Sequence, residues 1–82
     1  MEIHQAGRRH GVPDEDIAHS FEHVVTWIQL DDDPPRYLAA GPDRSGNLLE
    51  LVILDAPDGV LVIHAMPLRR TTQDQLFGNE GR

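Results

Sequence analysis

Polar and apolar positions divide this chain into a helical first third and a strand-rich remainder. Residues 2–10 predict a short helix on Ile3 and Ala6, stopping at Gly11 with Arg8, Arg9 and His10 near its C-terminal end, where cations suit the helix dipole. Pro13 fits the first turn of a second helix, with Asp14, Glu15 and Asp16 beside its positive end. Ile17, Phe21, Val24 and Val25 recur at helical spacing and define its buried face. Residues 27–30 predict a short strand, 31–35 (Asp-Asp-Asp-Pro-Pro) a break, 36–41 a second strand and 42–47 a turn. A long apolar hairpin spans 48–66, and residues 68–77 predict a closing helix that packs through Leu68, Leu76 and Phe77. Residues 78–82 read as a frayed tail.

The expected fold is therefore α+β, one domain over 1–77. Two N-terminal helices and one C-terminal helix flank four antiparallel strands in a meander. Pro57-Asp58-Gly59 predicts a three-residue loop with a bulge at the glycine. That loop pairs Ala56 with Val60, Val52 with His64 and Glu50 with Met66, and alternation then puts Glu50 and His64 on one sheet face. A loop one residue shorter or longer would put them on opposite faces. The strands are apolar on both faces, which calls for cover on both sides. In so short a chain, this predicts a homodimer or a partner protein.

Composition narrows the chemistry. The chain has no cysteine, so disulfides and thiolate metal sites are excluded. No stretch approaches a membrane span, and the first residues lack the apolar core of a signal peptide, so the chain reads as cytoplasmic. Fourteen acids against seven basic residues give a net charge of −7, which argues against broad nucleic-acid binding. All the basic residues are arginine, so any phosphate-binding cation is arginine or protonated histidine.

Ionisable groups at the ends of apolar strands are the raw material of a site, and Glu50 and His64 are two such groups. His64 can act as base or acid near neutral pH. Glu50 can orient it or act as the base, while Arg36, Arg69 and Arg70 can grip phosphate. Tyr37, beside Arg36, is the better candidate for stacking a base, and Trp27 is expected in the core. His19 and His23 have the spacing of a helical metal pair but lack a third ligand, so a surface pair is expected. Asp31-Asp32-Asp33 reads as a solvated acidic loop that can repel RNA or receive a basic partner segment.

The segments Arg36-Tyr-Leu-Ala-Ala-Gly, Gly46-Asn-Leu-Leu-Glu-Leu-Val, Gly59-Val-Leu-Val-Ile-His-Ala-Met and Arg69-Arg70, following His10-Gly11-Val12, resemble the BrnT-like toxins. These are small ribonucleases of bacterial toxin–antitoxin modules, similar to the RelE group. The resemblance spans about residues 9–75. It implies a four-stranded antiparallel sheet flanked by helices, metal-independent cleavage of an RNA substrate without a cofactor, and a cognate DNA-binding antitoxin. Its strand-opening arginine falls on Arg36 and its closing basic pair on Arg69 and Arg70. The family tends to end its last strand in serine–alanine–arginine, where this chain has His64-Ala65-Met66, and it is often basic or neutral. One alternative is a weak or inactive member that serves as a protein-binding module; another is a small enzyme acting on a different phosphorylated substrate. A ribonuclease should gather its arginines on one face, whereas a binding module would scatter them.

Overall fold

Hairpin strands β4 (Leu48–Ala56) and β5 (Gly59–Pro67) form the middle of the sheet in the computed structural model, which describes residues 1–78. The expected tail beyond Gly78 lies outside the described residues. β2 (Thr26–Asp32) and β3 (Pro35–Pro42) complete the antiparallel meander on one side. On the other side a fifth strand, β1 (Glu2–Ile3), pairs parallel with Leu61 and Val62. The sheet order is β1-β5-β4-β3-β2. The α+β class holds, but the expected four-stranded antiparallel sheet is a five-stranded mixed one.

The predicted first helix is where the sequence reading fails most. Residues 2–10 instead form β1 and a 3₁₀ helix (Gln5–Arg8), in which the His4 ring accepts from the Ala6 amide. Gly7 lies against β5, where an added Cβ would stand 2.7 Å from the Val62 carbonyl oxygen. Close approach to a strand, not helix packing, sets this segment. The second helix, α1 (Asp14–Glu22), carries its three acids in the first turn as expected, with Pro13 just outside it. It stops before the β-branched run Val24-Val25-Thr26, whose stiff side chains suit a strand, so Val25 is exposed rather than part of a buried helical face. The closing helix, α2, runs Arg70–Phe77, and Phe77 is largely exposed.

One α-helix covers each face of the sheet. On the first face, Ile17 of α1 packs with Leu49, Leu51, Val62 and Ala65. Ser20 Oγ donates to the Gly41 carbonyl at 2.8 Å, and His19 Nδ1 donates to that of Pro42 at 2.9 Å, fastening α1 across the end of β3. On the second face, Leu76 of α2 packs with Leu38 and Ala40, with Ile28, Val52 and Leu68 around them. Full burial of each valine, leucine or isoleucine among them stabilises the fold by roughly 1.5–3 kcal/mol. α1 leans mainly on β3 and β4, and only its Phe21 end borders Trp27 of β2. Trp27, expected in the core, is therefore 58% exposed on the first face.

The hairpin reaches its expected geometry by a different route. Its turn has two residues, Pro57 and Asp58, so Ala56 pairs with Gly59 and Leu54 with Leu61. Continued straight, that ladder would turn His64 to the opposite face from Glu50. A bulge between Val62 and His64 restores the phase, and Val52 pairs with His64 and Glu50 with Met66. The bulge lets Val62 point into the first core while Ile63 and His64 both serve the second face.

Candidate functional site

Glu50, at the start of β4, has no solvent-exposed surface, yet it is ionised. Burial pushes its carboxyl group upward. Hydrogen bonds from the Arg69 side chain and amide, from Thr72 and from His64 outweigh that and hold it at about 2. Arg69 Nη2 lies 2.7 Å from Oε2, Nε lies 3.1 Å from the same oxygen, and the Arg69 amide lies 3.0 Å from Oε1. Arg69 is also the N-cap residue of α2. A carboxylate from the sheet thus caps a helix whose own cap residue offers no side-chain acceptor.

His64 Nε2 sits 2.8 Å from Glu50 Oε2. Because that oxygen belongs to a carboxylate, Nε2 must donate, and in the neutral ring Nδ1 carries the lone pair. The His10 ring meets His64 edge-on, with centroids 5.5 Å apart. Arg36, Leu38, Val52, Ile63, Thr72 and Gln75 join Glu50, His64 and Arg69 around an open cleft of about 310 Å³ between the sheet and α2. Arg36 Nη2 pairs with Asp31, while its buried Nε–H has no acceptor among the described residues.

The cleft thus brings together four of the six predicted site residues: Glu50, His64, Arg36 and Arg69. Arg69 spends its Nε and Nη2 on Glu50, which its placement as a phosphate contact did not anticipate. Arg70 is exposed, pairs with Asp74 along α2 and does not line the cleft. Tyr37 pairs with Ile53 and lies on the other face, edge-on to Trp27 at 5.4 Å. Residue spacing offered no signal for Thr72 or His10. Thr72 becomes relevant only when α2 docks, and His10 only when the 3₁₀ segment crosses the sheet edge.

Elsewhere among the described residues, Arg8 pairs with Asp14 and Arg44 with Asp16, away from the cleft, while Arg9 is exposed and forms no ion pair. His19 and His23 stack at 4.1 Å, with each Nδ1 bonded to a carbonyl oxygen. Among the described residues, no cluster of three or more potential metal ligands occurs, and no helix is long and apolar enough to cross a membrane. Compared with family models, curated proteins and solved structures, the chain matches none.

Proposed function

We propose that the protein is a metal-independent endoribonuclease, the toxin subunit of a BrnT-like toxin–antitoxin module, with the cleft between β3–β5 and α2 as its active site. The observation that carries this reading is the His64–Glu50 hydrogen bond in an open cleft that Arg36 also lines. His64 Nδ1 takes the 2′-hydroxyl proton as that oxygen attacks phosphorus, and Glu50 stabilises the resulting imidazolium. With a carboxyl held at about 2, Glu50 is too weak a base for the attack itself and acts by positioning. Arg36 supplies charge and a donor to the phosphorane oxygens. The 2′,3′-cyclic phosphate forms as the P–O5′ bond breaks, and the departing oxygen takes a proton from water or from His10.

His64→Gln keeps a polar side chain in place and should lower cleavage by about 10²–10⁴-fold, with activity of the parent protein unchanged by a chelator. Expression of the parent should slow bacterial growth and that of the variant should not. If the parent neither slows growth nor cuts RNA, with or without ribosomes, the enzyme reading is lost. A second reading, a catalytically weak member that serves as a protein-binding module, draws support from Arg8, Arg44 and Arg70, which lie away from the cleft and each pair with an aspartate.

A further inference from the structure

β2 is the outermost strand on its side, and its far backbone edge pairs with nothing among the described residues. Seven residues long, it offers room for one more strand. Its first-face side chains change character along its length. Trp27 joins Phe21, Val24, Tyr37, Ala39 and Ile53 around an apolar groove of about 280 Å³. Asp32, opposite Pro35, continues the same face beyond a bulge, with Asp33 next to it, both exposed. Neither carboxylate forms an ion pair among the described residues, whereas Asp31 turns to the second face and holds Arg36.

We propose that this edge docks an extended, basic segment of a partner protein as a sixth strand. One apolar or aromatic side chain fills the Trp27–Tyr37 groove, and an arginine or lysine farther along meets Asp32 and Asp33. Backbone pairing supplies affinity and the alternate side chains supply selectivity. The acidic end specifies a cationic occupant. A second copy of this chain is the poorer fit. Paired antiparallel about Gln29, two β2 strands would set Asp31 and Asp32 of each against Thr26 and Trp27 of the other, which offer no positive charge, and each chain carries −7. The inference goes beyond the cleft reading and does not rest on RNA cleavage.

The test is selection of a displayed random library of about twelve-residue peptides against the full protein. The enriched peptides should carry two or more arginines or lysines and large apolar residues at alternate positions. A synthetic copy should change the emission of Trp27, the only tryptophan, giving a direct reading without RNA. Binding should fall about tenfold in Trp27→Ala and in Asp32→Asn/Asp33→Asn, and should weaken as salt screens the acidic end. Both variants replace exposed side chains, and circular dichroism confirms their folding. Failure to enrich any peptide, enrichment of peptides without cations, or binding indifferent to both variants would overturn the proposal. So would an emission change on concentrating the protein alone, matched by a dimer in sedimentation. A protein that binds such peptides but cuts no RNA leaves this inference standing and removes the cleft reading.

Discussion

Glu50 couples the candidate chemistry to the fold, because the carboxylate that orients His64 also caps α2. Replacing it with glutamine removes the buried carboxylate that accepts from Arg69, Thr72 and His64 and should cost about 1.5–3 kcal/mol in urea unfolding at neutral pH. Because the folded carboxyl is depressed from 4.5 to about 2, its contribution is complete above pH 4.5 and is lost as pH falls towards 2. Acid titration of stability should therefore show the parent losing on the order of 3 kcal/mol more across that window than Glu50→Gln. Equal losses would mean that Glu50 is not the carboxylate that matters. The Glu50–His64 pair was legible because both are polar interruptions in apolar strands. Arg69 was legible only as a cation, since an arginine after a strand looks the same whether it meets phosphate or a buried carboxylate.

Elements with long apolar runs, β4 and β5, were readable to within a residue or two. The turn between them was not. Pro57-Asp58-Gly59 is compatible with either loop length; the two-residue turn pairs Val62 with Ile53 in the buried first core, where the three-residue loop would have paired it with Leu54 on the other face. The first segment misled because its few apolar positions carry no periodicity, and strand pairing with β5 outweighs weak helix propensity. Gly41 is a related case: it passes for an ordinary strand residue, but an added Cβ would collide with the Ser20 carbonyl oxygen. Gly41→Ala should therefore destabilise the protein by about 1–3 kcal/mol despite the usual gain from removing a strand glycine. Thermal melting that showed no loss would mean that α1 can lift away from β3 freely.

At the scale of the molecule, the expectation that both sheet faces need cover was sound, but the sequence could not show how the helices would divide between them. One α-helix serves each face, and the shortfall appears at β2 rather than over the hairpin. The sheet is therefore a partition, with the cleft on one side and the exposed aromatic groove on the other. The partition has a crossing point, because successive residues of β2 face opposite ways: Asp31 braces Arg36 over the cleft, and Asp32 faces the groove side. If a segment docked on β2 shifts Asp31, Arg36 shifts with it, and thermodynamic linkage makes such an effect reciprocal. Inorganic phosphate bound in the cleft should then tighten a peptide on β2 by the same factor as the peptide tightens phosphate. Asp31→Ala should reduce that factor towards one in calorimetric titrations, and undiminished coupling in this variant would place the connection elsewhere. A chain of this size would then have its two surfaces conversing through a single peptide unit.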